Sequence, residues 1–135
     1  MKKIIVTIDG PAGSGKGRIA KYISKKWGLY HLDSGILYRR LAEVLNNKNI
    51  DLKNIDKVKK IIKKHKNLSF RKNKNLRSEK VSNIASKIAV FQYVRKYINK
   101  LQNDFVIQNI DKKGFVIDGR DIGSVVFKNA DLKLY

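Results

Sequence analysis

A glycine-rich loop between an apolar run and an amphipathic stretch constrains this chain more than any other feature. Lys3 to Ile8 is continuous and β-branched, which suits a strand buried on both faces of a parallel sheet. Gly10-Pro11-Ala12-Gly13-Ser14-Gly15-Lys16 breaks that run, and Ile19, Ala20, Ile23 and Trp27 then recur at helical spacing. The loop has the G-x-x-x-x-G-K spacing of a phosphate-binding loop, and it joins a strand to a helix as that motif requires. Its glycines let backbone N–H groups point inward at phosphate oxygens. The helix start adds a favourable dipole, and Lys16 reaches the β- and γ-phosphates. The general motif next places a Ser or Thr hydroxyl for magnesium, whereas here Gly17 and Arg18 follow. Arginine does not ligate a metal; Arg18 equally suits pairing with an α-phosphate and an outward-pointing helix position. Mg2+ is therefore expected to be held mainly through phosphates and water.

Further along, Tyr30 to Leu32 reads as a short strand and Gly35 to Leu45 as a helix, followed by an Asn-rich loop at Asn46 to Asp51. A lysine-rich stretch comes next, with Ile55, Val58, Ile61 and Ile62 forming one helical stripe. Leu68-Ser69-Phe70 is a candidate short strand. Ser78 with Val81 opens another helical pattern through Ile84, Ala85, Ile88 and Ala89. Gln92 to Ile107 gives a further helix with Val94, Ile98, Leu101 and Phe105 on one side. Phe115-Val116-Ile117 is a second buried strand ending in Asp118-Gly119-Arg120-Asp121, Val125 to Phe127 is short and apolar, and Leu132 to Tyr135 begins a third main strand. Strands alternating with helices predict an α/β fold, a P-loop NTPase-type parallel sheet flanked by helices.

At 135 residues and 42% hydrophobic, the chain suits one compact domain with a real core. It has no cysteine, so disulfides, thiolate metal sites and cysteine nucleophiles are excluded, and its two histidines are too few and far apart for a metal site. No apolar run is long enough to span a bilayer, and the start does not resemble a signal peptide. A cytoplasmic, monomeric protein with no membrane partner is the expectation. The formal net charge of +20 attracts any polyanion, nucleic acid included. The lysines between Lys57 and Lys64 alternate with the apolar stripe, which favours a solvated face over a nucleic-acid surface.

Two further clusters carry chemistry. Leu32-Asp33-Ser34-Gly35-Ile36-Leu37-Tyr38-Arg39 lies at a strand end and helix start, where open α/β sheets place ligand groups. On the residues alone, Asp33 and Ser34 equally suit helix caps and Arg39 a surface position. Asp118 to Phe127 ends a second strand in two aspartates and an arginine, so charged groups converge on the sheet edge that carries the loop.

Together with Arg77, Asn83 to Ser86 and Val94-Arg95, these segments resemble the cytidylate kinase family, whose members phosphorylate CMP and dCMP from ATP. The resemblance covers nearly the whole chain, from Ile4 to Tyr135. It implies ATP on Gly10, Pro11, Ala12, Gly13, Ser14, Gly15, Lys16, Gly17 and Arg18. It implies the acceptor's phosphate on Ser34, Arg39 and Arg120, Asp33 as a further substrate-binding residue, and catalytic roles for Lys16, Arg39 and Arg120. Ser86, Arg95 and Asp121 would read the base, and Arg77 would support that pocket. Asp33 or Asp118 would orient magnesium waters or the acceptor. Without the resemblance, Ser86 and Arg95 read as ordinary helix positions.

The resemblance further implies a mainly helical nucleoside-binding insert at about residues 50–108 of a single P-loop kinase domain. The family's β-rich segment there is short in this chain, because Phe70 reaches Arg77 through only Arg71 to Leu76. Family members also continue past Tyr135 into a mobile lid and a last strand. The expectation is therefore a truncated product, a fragment or one piece of a split protein, with activity impaired. Two rival readings are a P-loop kinase of another small metabolite and a non-catalytic nucleotide- or nucleic-acid-binding module.

Overall fold

The computed structural model describes residues 3–11, 14–66, 68–69, 74–109 and 112–135. Its strands are β1 (Ile4–Asp9), β2 (Tyr30–Asp33), β3 (Gly114–Gly119) and β4 (Leu132–Leu134). Its helices are α1 (Lys16–Trp27), α2 (Ser34–Asn47), α3 (Ile55–Lys64), α4 (Glu79–Ile88) and α5 (Gln92–Gln108), with a 3-10 turn at Lys74–Arg77 and a π-helical turn at Ile122–Val126. The chain forms two compact units, Met1–Ser34 with Gln102–Tyr135, and Gly35–Leu101.

The first unit is the sheet, in the order β2-β3-β1-β4 with every pair parallel. β3 is buried along its whole length, as its apolar run demands. β1 starts at Ile4 and is buried only from Val6 to Ile8, so the expectation of two-sided burial from Lys3 is too generous. Val6, Ile8 and Val116 pack with Ala20, Ile23 and Leu29 into one apolar cluster. Of the helical stripe on α1 only Ala20 and Ile23 are buried, and Ile19 and Trp27 are exposed. The helical spacing of all four residues is borne out, since each lies in α1. Two of those four residues share one face of the helix and suffice to seat it.

The strand ends are tied by specific bonds. Ile5 N–H donates to Asp131 Oδ2 at 2.8 Å, and Asp131 N–H donates back to Ile5 O at 2.8 Å, fixing the entry to β4. Lys3 Nζ donates to the carbonyls of Val106 (2.7 Å) and Asn109, caps the end of α5 and complements its dipole. Tyr30, Phe105 and Phe115 form an aromatic cluster beside it.

The second unit is helical. Asn54 Oδ1 accepts from Lys57 N–H and Ser78 Oγ from Val81 N–H, each at 3.2 Å, and these side-chain caps start α3 and α4. Leu37, Leu41, Leu45, Val58, Ile88 and Ile98 are central to its core. Ile55, expected on the α3 stripe, is exposed at the first turn, while Lys57, Lys59, Lys60, Lys63 and Lys64 are all exposed. Tyr97 donates its hydroxyl hydrogen to His65 O, and burial pushes its phenol up to about 12. Burial also raises Tyr93. Leu68 and Ser69 are not in a strand, and Phe70 lies outside the described residues. Val125 and Val126 lie in the π-helical turn.

The close pairing of β1 with β3 requires a glycine at its start. A Cβ on Gly114 would stand 2.3 Å from the carbonyl oxygen of Ile4, and that backbone is pinned in the ladder. Gly114→Ala is expected to cost about 1–3 kcal/mol, read as a lower urea midpoint. An unchanged midpoint would contradict the pairing described.

Candidate active site

In a parallel sheet the loops that leave the strand carboxyl ends gather on one edge. Here β1 runs into the phosphate loop, β2 into α2, and β3 into the Arg120–Asp121 turn. Gly10 N–H donates to Gly119 O at 3.1 Å, which ties the loop's first residue to the end of β3. Gly15 has φ of 85°, a left-handed conformation natural to glycine, and it serves as the N-cap of α1. Among the described residues no side chain caps α1, and its first turn holds no acid, so the helix start suits an anion. Lys16 Nζ folds back over the loop to donate to Pro11 O at 3.3 Å. Gly17 and Arg18 are exposed, and Ala12 and Gly13 lie outside the described residues.

Asp118 ends the apolar part of β3 and is only 3% exposed. Its Oδ1 lies 2.6 Å from Nε2 of His31. Its Oδ2 faces the start of α1, since a Cβ on Gly17 would stand 3.8 Å from that oxygen. Asp33 pairs in register with Asp118, so the two carboxyl-bearing residues are neighbours on adjacent strands. Asp9, the last residue of β1, accepts from Ile122 N–H at 2.5 Å and from Gly123 N–H at 3.0 Å. This carboxylate holds the chain that leaves β3. Asp121 sits between with φ of 56°, an uncommon value outside glycine.

Ser34 is buried and donates its hydroxyl to Gln102 Oε1 at 2.5 Å. Arg120 and Asp121 are exposed. The remaining expected acceptor residues belong to the helical unit. There Arg39 is half-buried on α2, Arg77 exposed at the 3-10 turn, Ser86 exposed on α4 and Arg95 half-buried on α5.

The residues present fit a magnesium nucleotide. Among the described residues no group of three His, Cys, Asp or Glu is placed to hold a metal alone. A hard cation that keeps phosphates and waters as ligands needs only one or two carboxylates, and Asp118 offers one beside the loop.

Asp9, His31 and Gln102 were missed by the sequence reading. Asp9 carried a signal, because an acid ending a buried strand must find donors. His31 alternates with Asp33 along β2 and so shares its face. Gln102 is a lone buried polar residue within the apolar spacing of α5.

A parallel sheet whose first strand passes through a phosphate loop into a helix defines an α/β protein of the P-loop kinase type. The chain belongs to the cytidylate kinase family, whose model matches residues 6–135. It is 37% identical over 145 residues to a cytidylate kinase of Fusobacterium nucleatum, covering 100% of this chain and 64% of that protein. It is 40% identical over 130 residues to one from Rickettsia felis, covering 96% and 57%. It is also 39% identical over 151 residues to a bifunctional pantoate ligase/cytidylate kinase of Prochlorococcus marinus, covering 99% and 28%. The chain thus spans about three-fifths of the length of the cytidylate kinases it matches.

Asp9→Asn tests the edge described. An amide has one acceptor oxygen where the carboxylate has two, so a backbone N–H loses its partner, at about 1–3 kcal/mol. A lower urea midpoint is expected, and an unchanged one would show that Asp9 does not hold the turn.

Proposed function

We propose that this chain is a (d)CMP kinase polypeptide that binds ATP at residues 10–18 and transfers the γ-phosphoryl group to CMP or dCMP, giving CDP or dCDP. The observation that carries the reading is the phosphate loop beside the buried Asp118, in a chain that matches the family along residues 6–135. We take it to act as a monomer in the cytoplasm, as a single P-loop kinase domain with residues of about 50–108 as the nucleoside-binding insert. Among the described residues no helix is long and apolar enough to cross a membrane.

In-line phosphoryl transfer needs little covalent help from a protein, so positioning and charge neutralisation dominate. The loop N–H groups and Lys16 bind the β- and γ-phosphates, and Arg18 pairs with the α-phosphate. Ser34, Arg39 and Arg120 bind the acceptor's phosphate, because guanidinium matches two phosphate oxygens at once. Asp33 orients the acceptor. Magnesium, when bound with ATP, neutralises phosphate charge, and Asp118 is the carboxylate best placed toward it.

Ser86, Arg95 and Asp121 read the base, with Arg77 in support. Cytosine offers an amino donor beside ring acceptors, so Asp121 accepts from the amino group while Arg95 donates to N3 and O2. Uracil reverses donor and acceptor at that edge and leaves Asp121 poorly paired, at about 1–3 kcal/mol per lost buried bond.

A coupled assay with ATP plus CMP, dCMP, UMP or AMP tests the reading. CMP and dCMP should turn over, and Arg39→Ala or Asp121→Ala should lower that rate about 100-fold or more with ATP binding retained. Unchanged CMP turnover in either variant would sink the residue assignment. RNA binding that weakens steeply with salt, without phosphoryl transfer to any acceptor, would replace the enzyme reading with a nucleic-acid module.

A further inference from the structure

The proposed chemistry leaves His31 without a role, yet its side chain contacts the buried Asp118 at the sheet edge. β2 is an edge strand, and His31 pairs in register with Val116 while Asp33 pairs with Asp118. Residues two apart on a strand share a face, so His31 lies diagonally across from Asp118 on that face. Nε2 and Oδ1 are 2.6 Å apart, with the two side chains 18% and 4% exposed. An ionised carboxylate only accepts, so the imidazole N–H is the donor. The contact ties one oxygen of a buried carboxylate and leaves Oδ2 on the side of Gly17 and the helix start.

Without that tie, the carboxyl group is free to turn about its terminal bond, a broad torsion with roughly two-fold character. The orientation matters more here than in a general P-loop. Gly17 and Arg18 supply no hydroxyl after the lysine, and the oxygen that faces this position is Oδ2 of Asp118.

We propose that His31 is a positioning residue, whose ring N–H fixes Asp118 so that Oδ2 faces the magnesium-bound nucleotide at the phosphate loop. The inference rests on the nucleotide reading given above. Partners that orient a metal-facing group typically account for 10- to 100-fold in metal affinity.

The test is calorimetric titration of the full chain with ATP in excess Mg2+ and with ATP in EDTA. In His31→Leu, which keeps bulk but no donor, affinity for ATP in Mg2+ should fall about 10- to 100-fold. Its affinity for metal-free ATP should stay at the wild-type value. His31→Gln, whose side-chain amide supplies a donor near the Nε2 position, should restore most of the loss. An equal loss with and without Mg2+ would show a merely structural contact and overturn the proposal, as would no loss at all.

If wild-type chain binds ATP in neither condition, the nucleotide reading and this inference fail together. If it binds and His31→Leu is unaffected, only this inference fails. A second measurement needs no variant and so does not depend on a variant's folding. The ring 15N signals of His31 in ATP-saturated wild-type protein should shift when Mg2+ is added, and no shift would overturn the proposal.

Discussion

Asp9 stands where the first strand ends and the phosphate loop begins, and both of its carboxylate oxygens are taken by backbone N–H groups of the chain leaving β3. Beside it, Gly10 N–H reaches the carbonyl of Gly119. These bonds join two strand ends that are more than 100 residues apart in sequence. They give the carboxyl edge of the sheet one geometry, in which the loop, Asp118 and the Arg120–Asp121 turn are neighbours. A part-buried carboxylate without donors would be costly, so the same bonds also stabilise the fold.

The division of charge follows from this edge. The first turn of α1 carries Lys16 and Arg18 and no acid, and among the described residues no side chain caps it, which suits an anion. The acidic groups sit on the strand ends instead, where Asp118 is held by His31 and Asp33 lies beside it. Phosphate and cation therefore have separate sources of charge. The exposed lysines of α3 belong to a different unit and form the solvated side of an amphipathic helix. Their charge raises the general attraction for anions without shaping a site.

Much of the sheet unit was legible because its signals are local. The β-branched run before Gly10 and the apolar run at Phe115 to Ile117 read as parallel strands, and the loop spacing fixed what lies between β1 and α1. The helices α4 and α5 followed from apolar spacing, since Val81, Ala85, Ile88, Val94 and Ile98 are all buried. Periodicity says less about how wide each buried stripe is, which is why Ile55 belongs to the apolar stripe of α3 by spacing and yet stands exposed. That Asp9 needs donors is legible, but which groups Asp9 and His31 contact is not. Each contact joins residues at least 87 positions apart, and no local pattern records such a pairing. The π-helical turn at Ile122–Val126 escaped for a related reason, because Asp9 holds its first two backbone N–H groups.

The central claim is that the loop at the end of β1, and not the general positive field, holds nucleotide phosphate. The most direct measurement is a titration of 15N-labelled chain with Mg2+ and ATP at moderate salt, followed amide by amide. The account predicts saturable shifts concentrated in residues 10–18, with Asp118 and its neighbours following. Shifts spread across the lysines of α3, with the loop amides unmoved, would contradict it.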